Sequence, residues 1–161
     1  MDALKQALRR LAKAVVVITS RHDGQRYAMA ATAVSELSFD PPSMLICVNR
    51  AASLYGPMAA GAPFAINILH HSQSDMAARC SGQIKGEARF AQGEWPETSL
   101  DIPRLGGAQA SIICRNVKQI DYGTHGIFIG EVAEVIIDGI PEPLVYLDGR
   151  YTRALDADIA A

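Results

Sequence analysis

The chain has few cysteines and no pattern among them. Cys47, Cys80 and Cys114 form no CxxC pair and show no cysteine–histidine metal spacing. Cys47 and Cys114 sit in apolar, strand-like runs and read as buried thiols. The odd count, with no signal peptide ahead of it, points to a reducing cytoplasm. No apolar run approaches the roughly 20 residues of a membrane-spanning helix. Charge of one sign is also lacking. The formal net charge is -2 with both signs spread along the chain, which excludes the basic footprint of a nucleic-acid binder.

Catalytic signatures are absent as well. There is no GxSxG and no HExxH. No GxGxxG follows a strand into a helix, which argues against a Rossmann dinucleotide site. Gly106-Gly107 reads as a turn rather than a phosphate loop. The acidic residues are scattered, which argues against hydrolysis by a carboxylate pair. His70 and His71 are adjacent. In a strand they would face opposite sides, so a shared metal is not expected and no metal ligand is assigned.

What is present is a core. The 161 residues are 49% hydrophobic, enough for one folded domain spanning 1–161. No repeat or linker divides it. Asp2 to Lys13 places Leu4, Leu8 and Leu11 at helical spacing. Val15 to Thr19 is a β-branched run and reads as a strand. Asp23-Gly24 is a hairpin turn, returning the chain along Tyr27 to Ser35. After Asp40-Pro41-Pro42, Met44 to Val48 is a further strand. Ser53 to Ala60 and Ser72 to Cys80 read as short helices, the second capped by Ser72. Phe64 to Leu69, Ala108 to Gln119, Ile127 to Ile137 and Leu144 to Leu147 read as strands. Gly82 to Ser99 is polar and irregular, and the tail after Tyr151 is loose or packs on a partner. Six or seven strands in turn-linked pairs, with three short helices, favour a mainly β fold with an antiparallel barrel.

Three places draw attention. Tyr27 to Asn49 holds a small-residue run, where something flat can lie against backbone. His125 stands between glycines and two strands. It either hydrogen-bonds backbone in a loop or sits at a barrel mouth where it touches a substrate. Arg89-Phe90 is either a phosphate contact with a ring over a ligand, or a surface arginine beside a core ring.

Taken together, several ordered motifs resemble one family. They are Ala7-Leu8 followed by Val15-Val16-Val17-Ile18-Thr19, Ala28 to Pro42, Phe64 to Leu69 with Gln73, Arg89-Phe90 with Trp95, Gly123 to Val132, and Pro143 to Tyr146 with Tyr151. The chain resembles the flavin reductase-like proteins with the FMN-binding split barrel over about residues 4–151. It looks most like the reductase component of two-component flavin monooxygenases, the 4-hydroxyphenylacetate 3-monooxygenase reductase type. Ala28, Ala30, Ala52 and Ala88 stand where that family has glycine, threonine, serine and an acidic residue.

The resemblance implies an antiparallel split β-barrel that reduces FMN or FAD with NADH or NADPH. It would supply reduced flavin to a separate oxygenase component. Ala31, Thr32, Ala33 and Val34 would line the isoalloxazine, and Val48 and Asn49 would continue that wall. Ser53 would lie near the ribityl phosphate and Asn67 beside the flavin. Arg89 would pair with phosphate, Phe90 would pack near the ring, and His125 would stand where nicotinamide stacks. A homodimer is implied too. The alternative is a non-catalytic FMN-binding split-barrel protein. The scarcity of catalytic groups suits hydride transfer between stacked rings, which needs no protein nucleophile.

Overall fold

The computed structural model describes residues 1–155. The chain builds ten strands and three short α-helices among those residues. They are α1 (Asp2–Leu8), β1 (Lys13–Ala14), β2 (Val16–His22), β3 (Gln25–Ala31), β4 (Val34–Phe39), β5 (Pro42–Asn49), α2 (Tyr55–Ala59), β6 (Phe64–Ile68), α3 (Ser74–Ala78), β7 (Ala110–Tyr122), β8 (His125–Ile137), β9 (Leu144–Leu147) and β10 (Arg150–Arg153). The fold is mainly β with short helices, as the strand and turn signals indicated.

Seven strands form one antiparallel sheet in the order β3-β2-β6-β7-β8-β5-β4, and β1-β9-β10 form a second. The order carries a geometric consequence. β3 and β4 are the two edges of the large sheet, yet only Thr32 and Ala33 separate them in sequence. The three Cα steps from Ala31 to Val34 span no more than about 11 Å. The sheet therefore bends to bring these ends of β3 and β4 near one another, although the two strands do not pair. The Cys47 N–H donates to the Ala33 carbonyl at 3.0 Å and fixes the link against β5.

β2 explains why the core has two halves. Val16 and Ile18 pack with Ile46, Val48, Leu54, Met58, Phe64 and Phe128 inside the curled sheet. Val15 and Val17 point the other way, toward Leu69, Ala77, Cys80, Phe90, Leu105 and Leu144. Alternation along a strand buried on both faces thus gives the unbroken apolar run Val15–Ile18. At the β2–β3 turn Asp23 and Gly24 have φ of 49° and 77°, as a two-residue hairpin with matching twist requires.

Several expected boundaries move. The first helix ends at Leu8, not Lys13, because Lys13 pairs with Tyr146 in the small sheet. The expected strand Tyr27 to Ser35 is broken at Thr32-Ala33 into β3 and β4. The expected helix over Ser72 to Cys80 is instead a 3-10 turn, His71–Gln73, leading into α3, and it is this turn that is capped, by His70 rather than Ser72. The His70 ring accepts the Ser72 N–H, and the Gln73 side chain accepts the His70 N–H. Arg150–Arg153 is a strand paired with β9, so the tail begins later, and residues 156–161 lie outside the described residues. Its turn, Asp148-Gly149, repeats the Asp-Gly signal of residues 23–24, with φ of 50° and 78°. No helix is long and apolar enough to cross a membrane among the described residues.

Candidate functional site

A cavity of about 470 Å³ opens beside the β3–β4 link, within the range of small-ligand sites. Met29 and Ala30 form one wall, Ala51, Ala52 and Ser53 a second, and the turn from Cys80 to Gly86 a third. Small residues at Ala30, Ala51 and Ala52 let a flat ligand approach the backbone. Thr32 and Ala33 lie outside the strand ladders, and their N–H groups make no hydrogen bond among the described residues. Two backbone donors are therefore unpaired at the link, which does not itself line this cavity. A second cavity, about 530 Å³, borders the link itself. Thr32, Lys13, Tyr146 and the residues of α1 line it.

β5 delivers the next part. At its end Asn49 pairs across the ladder with His125, the first residue of β8. The Asn49 side-chain carbonyl accepts the Ala51 N–H at 2.9 Å, bending the chain from the ladder to the cavity wall. Ser53 is exposed there and lines the cavity. His125 is exposed, with Nδ1 placed 2.9 Å from Thr124 Oγ1 and no partner for Nε2 among the described residues.

The turn that carries His125 is braced from below. Asp121 accepts from Gln119 Nε2 at 2.8 Å and from the Tyr55 hydroxyl at 3.0 Å, and Arg50 lies 3.4 Å away. The Gln119 hydrogen bond is the main reason that the Asp121 carboxyl is held below its usual value, with Tyr55 and Arg50 adding to it. The Arg50 N–H also donates to the Thr124 carbonyl at 2.9 Å.

Of the expected site residues only Ser53 and Arg89 line this cleft; Thr32 lines the second cavity, Ala31, Ala33, Val34, Asn49 and His125 line neither, and three others are buried elsewhere. Val48 is fully buried in the core, because a strand cannot turn consecutive side chains to one face. Cys47, not Val48, shares the face of Asn49 and is partly exposed. Asn67 is also fully buried. Its amide donates to the Val17 carbonyl and Thr19 Oγ1, and its carbonyl accepts from Leu105 N–H and Ser111 Oγ. It ties three strands and a loop together. Phe90 is buried, in edge-type contact with Trp95 and with Arg26 over its ring 4.3 Å from the centre.

Arg89 holds an intermediate place. It is 8% exposed and lines the cavity, but Nε donates to the Ile84 carbonyl at 2.7 Å and Nη1 to the Ala28 carbonyl. Nη2 alone has no partner among the described residues, so Arg89 chiefly pins the loop to β3 and adds positive potential. Lys85 was missed by sequence reasoning. It is exposed on the same cavity wall and supplies a mobile cation. The only signal was its position in the polar, irregular stretch after a helix. Cys80 faces this cavity too, but burial pushes its thiol up to about 11, outweighing Arg89 and Arg79, so it is not a nucleophile at neutral pH.

His70 and His71 require a separate correction. β6 ends at Ile68, so the pair does not lie in a strand. The rings stand 4.2 Å apart, centre to centre, on one side of the turn.

A family model described as "Flavin reductase like domain" matches residues 8–155. The chain is 33% identical over 159 residues to the reductase component of an FADH2-dependent resorcinol hydroxylase from Rhizobium sp. strain MTP-10005, covering 98% of this chain and 89% of the relative. It is 33% identical over 147 residues to the FMN reductase (NADH) RutF of Variovorax paradoxus strain S110, covering 91% and 82%. Its fold matches the NADH:FAD oxidoreductase SgcE6 of Streptomyces globisporus C-1027, in complex with NAD and FAD fragments, with a TM-score of 0.88 at 27% identity, covering 96% of this chain and 93% of that one. Matched over nearly its whole length, the chain belongs to the flavin reductase-like domain family.

Proposed function

We propose that the protein is an NADH-dependent flavin reductase, the reductase component of a two-component monooxygenase. One observation carries the reading: a cleft at the end of β3 is walled by Ala30, Ala51, Ala52 and Ser53, with Lys85 and Arg89 on its third side. A flavin ring is flat, largely apolar and polar along one edge, and these residues fit it. Ala31, Thr32, Ala33 and Val34 hold the ring and its edge. Asn49 orders the approach, and Ser53, Lys85 and Arg89 face the phosphate end. His125 orients the nicotinamide. Bound flavin accepts a hydride from the nicotinamide, and the chain's own task is to stack, orient and exclude water.

FMN and FAD both suit the cleft, because the cationic wall of Lys85 and Arg89 serves a monophosphate or a diphosphate alike. The flavin behaves as a substrate that leaves once reduced. NADH is taken as the donor because the relatives named FMN reductase (NADH) and NADH:FAD oxidoreductase use it. A separate oxygenase receives the product.

The chain works as one domain with the split-barrel arrangement, in the cytoplasm, as a homodimer. Support for the dimer comes from α1, which buries none of its residues although Leu4 and Leu8 repeat at helical spacing. A second copy covers that face, and sedimentation should give twice the chain mass. Anaerobic mixing with NADH and excess flavin tests the activity. Bleaching of many flavins per chain is expected. Bleaching of one per chain would make flavin a resident cofactor, and none would contradict the proposal.

A further inference from the structure

We propose that His70, His71 and Glu142 form a binding site for a divalent transition ion of the zinc type. Each residue offers one ligand atom, and the three atoms lie within 4.8 Å of one another. Two imidazoles and a carboxylate suit zinc, cobalt or nickel over magnesium or calcium, which prefer all-oxygen shells. Tetrahedral ligation at ordinary bond lengths separates ligand atoms by about 3.3 Å, so small side-chain rotations close the triad. His70 Nε2 and Glu142 Oε2 are already 3.0 Å apart.

The backbone beneath is fixed. The His71 N–H donates to the Glu142 carbonyl at 2.9 Å, and the Leu144 N–H donates to the Leu69 carbonyl at 2.9 Å. The Gln109 side chain accepts the Glu142 N–H at 2.8 Å and donates to the Leu69 carbonyl at 3.2 Å. The segment after β6 and the turn before β9 are therefore held in register before any ion arrives. Ser72 Oγ stands 2.8 Å from His70 Nδ1. It is placed to accept that N–H when Nε2 turns its lone pair to a metal, as the outer partner of a ligating histidine does. The cost is the Ser72 N–H contact to Nδ1, at 3.2 Å. The His71 ring makes no hydrogen bond among the described residues, which leaves it free to ligate.

A cavity of about 340 Å³ borders the triad, lined by His71, Glu142, Arg153 and Ile140 among others. Three protein ligands beside an open space leave a fourth position for water. Such an ion would staple the β9–β10 hairpin to the end of β6. This site lies apart from the residues assigned to flavin and stands independently of that assignment.

The test is titration of tag-free, chelator-treated protein with Zn2+ and with Co2+. One ion per chain is expected, with visible Co2+ absorption of tetrahedral type and a rise in melting temperature absent with Mg2+. His71→Ala, which removes no hydrogen bond, should abolish the Co2+ spectrum and the thermal shift while the circular dichroism stays native. Ser72→Ala should weaken binding about tenfold. No saturable binding to the wild-type chain, or binding that His71→Ala and Glu142→Gln leave unchanged, would overturn the proposal.

Discussion

Asn49 and His125 lie opposite one another at the end of the β5–β8 ladder. This pairing places the exposed imidazole beside the segment that runs into the cleft wall at Ala51, Ala52 and Ser53. His125→Ala should lower kcat/KM for NADH by about tenfold, or about 1.4 kcal/mol of transition-state stabilisation. Flavin affinity should change much less. Steady-state kinetics together with flavin fluorescence titration separate the two, and equal losses in both would place His125 in flavin binding instead.

Lys85 is the mobile cation of the cleft. Lys85→Ala should weaken FMN binding several-fold and leave riboflavin, which has no phosphate, nearly unchanged. Parallel titrations with the two flavins decide it. A loss shared by both would mean that Lys85 supports the loop rather than the phosphate.

Gly130 has no room for a side chain. A methyl there would stand 2.5 Å from the Phe64 ring and 2.6 Å from Cys114 Cβ. Gly130→Ala should therefore destabilise the fold by about 1–3 kcal/mol, the usual cost of overpacking a core. Urea unfolding measures it, and an unchanged midpoint would refute the packing.

Burial pushes the Cys114 thiol up to about 12 and the Cys80 thiol up to about 11. At pH 8 both stay protonated and sheltered, so iodoacetamide should leave them unmodified in the native protein and modify them in urea. Mass spectrometry after brief labelling gives the answer. Native labelling at the denatured rate would contradict the burial.

The Asp121 carboxyl has a folded-state value below its usual one, first through the Gln119 hydrogen bond. Its stabilising contribution is present above the unfolded value of about 3.9 and is lost as pH falls through the lower folded value. Asp121→Asn removes this dependence. Stability of that variant should fall less steeply than wild type between about pH 5 and pH 3. Parallel slopes in acid denaturation would show that the bracing network does not act through this charge.

Much of the fold was legible because strand signals are local. Val15 to Ile18, Ile127 to Ile137 and Asp23-Gly24 each announce themselves within a few residues. β10 was missed: Asp148-Gly149 marks its turn, but the exposed strand has no apolar alternation. The break at Thr32-Ala33 was hidden, since it arises from curling of the whole sheet and not from any turn residue. Of the expected site side chains, Ser53 and Arg89 share one cavity and others do not. Val48 and Asn67 follow the motif order, yet one obeys strand alternation and the other meets four buried hydrogen-bonding groups. Those facts depend on neighbours distant in sequence. The His70–His71 pair was misplaced for a simpler reason: the strand ends two residues before it.

Hydride transfer from NADH to free flavin has a direct readout. The most direct measurement is aerobic NADH oxidation by the purified protein, crossed with FMN, FAD and riboflavin, and repeated with NADPH. Oxidation that needs both protein and added flavin, and runs through many turnovers, is the predicted result. Oxidation that stays at background with all three flavins would contradict it.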